Sequence, residues 1–111
     1  MIHYMKLKTM YLNMIEDGLK NIELRLFDEK RKLIEVGDII EFSDISNPHN
    51  TITTQVTSLY NAINFAELCC MINSIDAGFH SDIELIKTMQ NFYPLDEQQK
   101  YGVVGIRIKR M

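Results

Sequence analysis

The sequence has few residues that cross-link or interrupt a chain, with two cysteines and two prolines among 111 residues. The cysteines are neighbours, Cys69 and Cys70. Adjacent cysteines do not form a useful disulfide bridge, so we expect both to be reduced and to lie in or near the core. Pro48 and Pro94 fall where turns are expected. A chain of this length can bury a working core without metal or disulfide.

Signals of membrane insertion, secretion and common catalytic chemistry are also missing. No apolar run approaches the length of a membrane span. Residues 1–6 do not place a charged segment before an apolar one, so no secretory signal is visible and a cytoplasmic location is expected. The three histidines are scattered, which predicts no metal and no cofactor. There is no glycine-rich phosphate loop, no G-x-S-x-G motif and no Cys/His pair placed for nucleophilic catalysis.

The charged residues are unevenly distributed around a formal net charge of −3. Residues 1–32 and 107–111 together hold ten Lys/Arg and five acids, whereas residues 33–106 hold two Lys/Arg and ten acids. If the terminal strands are neighbours, they make a basic face on an acidic body, and such a local field can steer an anionic ligand. An ordinary solvated surface is the alternative. The length and the 46% hydrophobic content predict one globular domain over residues 1–111.

Alternation of apolar and polar residues predicts about five strands. They are expected at residues 2–8, 22–26, 39–43, 51–60 and 102–110. Two or three helices lie between them, and the order is not a regular βαβ alternation. The sequence therefore predicts an α+β fold, a small and mostly antiparallel β-barrel with peripheral helices.

Helix boundaries are marked by capping residues. Thr9 is expected to cap a first helix that Gly18 ends. Asn64 precedes Glu67, and Ser81 precedes Glu84, by the spacing of a capping box, so a helix is predicted to start at each. A single helical turn is expected at residues 96–100.

Residues 18–25 form the most informative stretch, because a helix ends at Gly18 and a strand begins within a few residues. Lys20, Glu23 and Arg25 form a compact cation–anion–cation set there. Strict alternation places Glu23 and Arg25 on one face of a half-buried strand. We favour a bend that brings Lys20 to this face, because an unpaired buried lysine is costly.

The chemistry of this set depends on the pKa of Lys20. Burial and Arg25 lower that pKa, whereas Glu23 raises it. A lowered pKa would permit Lys20 to act as a nucleophile or general base with Glu23 as its partner, and an ordinary pKa would make it a contact for phosphate or a carbonyl group. Three surface charges in weak ion pairs are the alternative.

Other candidate contacts lie outside this stretch. Lys30 and Arg31 belong to a charged run at residues 28–32, which is either a solvated turn or a contact for phosphate. Most aromatic residues are expected in the core, but one or two near a cleft could stack on a base. Among the aromatic residues, Tyr101 is the one that we predict to bind the ligand.

Four stretches resemble the ASCH domain family, at residues 3–7, 14–31, 36–42 and 101–106. They carry a G-x-K-x-x-E-x-R core, a V-G-D strand start and a closing Y-G-V-V-G-I strand, in that order. The resemblance implies a PUA-like β-barrel beside a cleft that receives RNA. It also implies that Gly18, Lys20, Glu23 and Arg25 line the cleft.

One branch of the family is similar to amidohydrolases that remove the acyl group from N4-acetylcytidine. Lys20 matches their lysine, but Glu23 stands where they have a threonine, and Asp76 is the acid closest to the place of their distant glutamate, near Gly78. Other members imply a ribonuclease. The sequence thus leaves three hypotheses: a module that binds RNA or a modified nucleoside, a hydrolase that uses Lys20 and Glu23, and a protein-interaction domain. A monomer is expected.

Overall fold

Five strands form in the regions that the alternating pattern predicts. The computed structural model describes residues 1–111. The strands are β1 (Ile2–Leu7), β2 (Ile22–Leu26), β3 (Ile39–Asp44), β4 (Thr51–Ala62) and β5 (Val103–Arg110). They make one sheet in the order β1-β3-β4-β5-β2. The β1–β3 pair is parallel and the other pairs are antiparallel.

The sheet curls into a half-barrel, so the predicted barrel is confirmed as a mixed and partly open one. Strands β1 and β2 lie at its two ends, and no backbone ladder joins them. The chain that connects β1 to β2 forms a helix, Thr9–Glu16, which covers the interior of the curl. We call the gap between β1 and the segment from β2 to residue 34 the seam.

Four α-helices accompany the sheet. They are α1 (Thr9–Glu16), α2 (Phe65–Leu68), α3 (Asp82–Phe92) and α4 (Leu95–Tyr101). The single turn predicted at residues 96–100 is the longer helix α4, and short 3-10 turns add Arg31–Leu33 and Ser74–Ala77. No helix combines the length and the apolar character that crossing a membrane requires.

Two of the three predicted caps are present, and the prediction of the third, at Thr9, is wrong. The Asn64 Oδ1 accepts from the backbone N–H of Glu67 at 2.8 Å, and the Ser81 Oγ accepts from that of Glu84 at 3.1 Å. Thr9 does not cap α1, because it is already the first helical residue. Its hydroxyl instead donates to Asp44 at 2.7 Å and fastens the helix to the end of β3.

The apolar residues form two clusters, one on each side of the sheet. The first fills the inside of the curl under α1 and includes Phe42, Val104 and Ile106. The second lies between the sheet and helices α2 and α3, and it includes Ile22 and Leu24 of β2. Strand β5 contributes to both clusters, since Val103 belongs to the second. The sheet is therefore covered on both faces at its β5–β2 end.

The adjacent cysteines only partly follow the prediction of a core position. Cys69 is half-buried against the second cluster, whereas Cys70 is exposed. Both are free thiols, as the sequence predicts. Both lie in the turn that follows α2, with Cys69 against the second cluster and Cys70 toward solvent.

Candidate ligand-binding cleft

The polar residues of β2 face the inside of the curl. Glu23 pairs in register with Ile106 and Arg25 with Val104, and these two partners belong to the interior cluster. Registered residues of an antiparallel pair point to the same side of a sheet. The prediction of a half-buried strand was therefore wrong: Glu23 is 5% exposed because its face of the strand is covered as well.

Lys20 joins Glu23 through a bend at the end of α1. The backbone N–H groups of Leu19 and Lys20 both donate to the Met14 carbonyl, at 2.8 and 3.1 Å, and this closes the turn before β2 begins. The bend agrees with the one that we favoured from the sequence. It does not keep Lys20 in solvent, however, since the residue is 4% exposed.

The buried ammonium of Lys20 is surrounded by acceptors. Its Nζ lies 2.7 Å from the Ile22 carbonyl oxygen, 2.9 Å from that of Ala77 and 3.2 Å from the Glu23 Oε1. An ammonium group has one N–H for each of these oxygens. A neutral amine would leave at least one of these acceptors without a donor, so the surroundings match the charged form. The arrangement suits a residue that positions Glu23.

Arg25 completes the array and spans the seam. Its Nε donates to the Glu23 Oε2 at 2.7 Å, and its Nη2 donates to the backbone carbonyl of Lys6 at 2.9 Å. The second bond ties β2 to the opposite edge strand β1. A single side chain thus makes the link across the seam that no backbone ladder provides.

The three charges change one another's pKa values. Burial lowers the pKa of Lys20, while Glu23 opposes that change. Burial alone would raise the pKa of Glu23, but the Lys20 and Arg25 charges and hydrogen bonds outweigh it, and the pKa is lowered. Burial acts to lower the pKa of Arg25, but the Glu23 charge outweighs this effect, and the pKa is raised. The result is a buried carboxylate that stays ionised at neutral pH.

These residues lie in a cleft of about 220 Å³. Its walls come from β1, α1, β2 and the end of α3, and they are mostly apolar. They comprise Lys6, Leu7, Lys8, Tyr11, Lys20, Glu23, Leu24, Arg25, Ile45, Phe79, Met89, Phe92 and Tyr93. Such a combination of an apolar wall and a few converging polar groups is typical of a ligand site.

Aromatic rings form much of the wall. Tyr11 lies with its ring centroid 6.2 Å from that of Phe79, and the Lys20 Nζ is 5.6 Å from the Tyr11 centroid. Burial, followed by the Glu23 charge, raises the pKa of the Tyr11 phenol. Phe92 is 44% exposed, and the Lys8 Nζ stands 5.0 Å from its ring centroid.

Several of these wall residues were not among the sequence candidates. Neither Tyr11 nor Tyr93 is singled out by a pattern in the sequence. Residues 79–93 reach β2 by folding back across the sheet, and no local pattern shows that return. The one available signal was the polar pair Glu23 and Arg25 in an otherwise apolar strand.

The remaining sequence candidates lie elsewhere. Gly18 is exposed at the end of α1 with φ of 77° and does not line the cleft. Tyr101 ends α4 and packs against the second apolar cluster. Lys30 and Arg31 line a separate pocket farther along the seam. Asp76 is also outside the cleft and faces Arg107 at 3.4 Å.

The fold and the cleft define a PUA-like half-barrel with a charged cleft floor. Residues 5–111 match the ASCH domain, and the chain therefore belongs to the ASCH domain family. The resemblance seen in the sequence is confirmed. None of the curated proteins matches the chain.

Solved structures show the same fold. The hypothetical protein PH0355 is 33% identical with a TM-score of 0.88, and the match covers 100% of both chains. Protein PF0455 from Pyrococcus furiosus is 31% identical with a TM-score of 0.77, covering 100% of this chain and 98% of that one. An ASCH protein from Zymomonas mobilis, at 9% identity and a TM-score of 0.68, covers 98% of this chain and 69% of its own. The likeness to that protein supports the fold alone.

Proposed function

We propose that the cleft binds one base, or one nucleoside unit, of an RNA. The observation that carries the proposal is the ionised Glu23 held at the base of the cleft between Lys20 and Arg25. A carboxylate accepts hydrogen bonds only, so it selects an amino or imino N–H of a base edge. Arg25 has N–H groups beyond its two bonds, and these suit a neighbouring carbonyl or ring nitrogen.

The size and walls of the cleft fit this ligand. Its volume of about 220 Å³ is below the roughly 300–1,000 Å³ of pockets for drug-sized molecules. The aromatic residues at its walls, among them Tyr11 and Phe92, offer faces on which a base stacks, a contact that contributes about 1–3 kcal/mol per base. Lys6 and Lys8, both exposed, stand where a phosphate would pass.

The proposal gives Lys20 a positioning role rather than a chemical one. A general base or nucleophile needs a free lone pair on Nζ. All the directions around the buried Nζ are taken by the oxygens of Ile22, Ala77 and Glu23. The geometry thus favours binding over hydrolysis through this lysine.

Fluorescence anisotropy with labelled single-stranded RNA of mixed sequence tests the proposal. Arg25→Gln is expected to weaken binding by at least tenfold, since it removes both the base contact and the charge. Phe92→Ala, at an exposed rim position, is expected to weaken it by several-fold without disturbing the seam. Arg107→Gln is the matched control, because Arg107 also pairs with an acid but lies outside the cleft.

Circular dichroism on each variant separates lost binding from lost folding. Wild-type affinity in both Arg25→Gln and Phe92→Ala would contradict the proposal, and so would the absence of RNA binding by the wild-type protein.

A further inference from the structure

A second pocket lies on the same seam as the cleft. It has about the same volume, 210 Å³. One wall is residues 2–5 of β1, and the opposite wall is Lys30, Arg31, Leu33 and Ile34. The cleft uses the next stretch of β1, residues 6–8, and faces residues 23–25. The two pockets therefore follow one another along the same pair of chain segments.

Arg31 brings a guanidinium group to this pocket. Its side chain is 17% exposed, and its Nη1 donates to Asp28 at 3.2 Å. The Arg31 Nε is fully buried and has no acceptor within the protein; it is the one side-chain polar atom of the chain in that condition. A ligand in the pocket would meet the Nη groups instead, where the one bond within the protein is that from Nη1 to Asp28.

The rest of the pocket adds charge and flat apolar surface. Lys30 is exposed and takes part in no ion pair, so its charge is available to an anion. Tyr4 and Leu33 are exposed by 62% and 60%. A base fits against such side chains while its phosphate meets a lysine.

The distance between the pockets matches neighbouring units of one strand. A β-strand rises about 3.3 Å per residue and alternates its side chains, so Tyr4 of the second pocket and Lys6 of the cleft, both exposed on one side of β1, are about 7 Å apart. Bases of single-stranded RNA are splayed apart when proteins bind them, and neighbouring units span such a gap.

We propose that the second pocket is a subsite for a neighbouring nucleotide, with Arg31 contacting its base or sugar and Lys30 its phosphate. This inference rests on the proposed function of the cleft. It makes the ligand a single-stranded RNA of at least a few nucleotides rather than a free nucleoside. The seam between β1 and the segment after β2 is then the path of the strand.

The test compares cytidine 5′-monophosphate with a mixed-sequence single-stranded RNA hexanucleotide, using calorimetry. We expect the hexanucleotide to bind at least tenfold more tightly. Lys30→Gln is expected to weaken hexanucleotide binding by about threefold or more, to reduce its salt slope by about 0.7, and to leave the monophosphate unaffected. Lys87→Gln is the matched control, because Lys87 is also an exposed lysine without an ion pair and lies outside both pockets.

Arg31→Lys provides a second, charge-conserving measurement. It removes the guanidinium fork while keeping a cation, and a loss of hexanucleotide affinity with an unchanged monophosphate affinity would support the subsite. Equal hexanucleotide affinity in the wild type, Lys30→Gln and Arg31→Lys would overturn the subsite alone if the monophosphate still binds. Failure of both ligands to bind the wild type would instead overturn the proposed function and the subsite with it.

Discussion

Glu23 is a carboxylate in a position that an apolar side chain would normally occupy. It faces the interior cluster from β2, yet each of its oxygens has a cationic partner, Lys20 on one and Arg25 on the other. A buried charge is tolerated in a protein when it is paired and hydrogen-bonded in this way. The pairing keeps the carboxylate in place before any ligand arrives.

Replacement of Lys20 by methionine is expected to lower the free energy of unfolding by about 3–5 kcal/mol, the usual effect of breaking a buried ion pair. The substitution leaves the carbonyls of Ile22 and Ala77 without a donor and removes one partner of Glu23. Urea unfolding followed by circular dichroism measures the change.

A surface ion pair of the same spacing serves as the comparison. Lys32 and Glu29 lie 3.3 Å apart and are 48% and 89% exposed. Lys32→Met is therefore expected to change stability by less than about 1 kcal/mol. Similar losses for Lys20→Met and Lys32→Met would contradict the structural role given to Lys20.

The residues of the cleft floor could be selected from the sequence, but their burial could not. A polar pair within an apolar strand, next to a helix end, was enough to choose Lys20, Glu23 and Arg25. Their burial depends on contacts far along the chain, such as the bond from Lys20 to the Ala77 carbonyl, 57 residues away. Local alternation does not report a second covering layer, and so β2 was expected to be half-buried.

At the scale of elements, the strands and the ends of α3 were predictable because their signals are local. Alternation gave the five strands to within a few residues, and Ser81 and Pro94 bracket α3 as the capping rules require. Thr9 shows the limit of such rules. Its hydroxyl donates to a tertiary partner, Asp44, and does not cap a backbone N–H of the helix.

Helix α3 begins at the Ser81 cap and contributes residues to the wall of the cleft. Ser81→Ala is expected to destabilise the protein by about 1 kcal/mol, because the N–H of Glu84 loses its side-chain acceptor. Since α3 carries Met89 and Phe92 to the cleft wall, RNA affinity is also expected to fall. Thermal unfolding and anisotropy measure the two effects.

Asparagine is an equally good cap, so Ser81→Asn serves as the control and is expected to behave as the wild type. A stability loss in Ser81→Asn equal to that in Ser81→Ala would show that the cap is not the cause.

At the scale of the whole molecule, Asp38 fastens the start of the chain to the sheet. Its carboxylate meets the terminal amine of Met1 at 3.3 Å, the His3 Nε2 at 2.8 Å and the backbone N–H of Glu35 at 3.0 Å. The His3 hydrogen bond, followed by the Glu35 one, lowers the pKa of Asp38 from 3.8 to about 2.

Asp38 is therefore expected to contribute to acid stability. A carboxylate with a lowered pKa in the folded state stabilises the fold above its ordinary pKa of 3.8, and the contribution is lost as the pH falls toward about 2. Asp38→Asn is expected to melt at a lower temperature than the wild type at pH 6. The difference should shrink between pH 3.8 and about 2.

Glu29→Gln is the control for this experiment, because Glu29 is 89% exposed and makes only a surface ion pair. A gap between Asp38→Asn and the wild type that stays constant down to pH 2 would contradict the assigned role.

Arg25 fastens the two ends of the half-barrel, and the same guanidinium faces the cleft. Under the proposed function, a substitution at position 25 that alters the preferred base also releases β1 from β2. A search for variants with new specificity should consequently leave position 25 untouched and vary Phe92, whose ring is 44% exposed and takes no part in that bond.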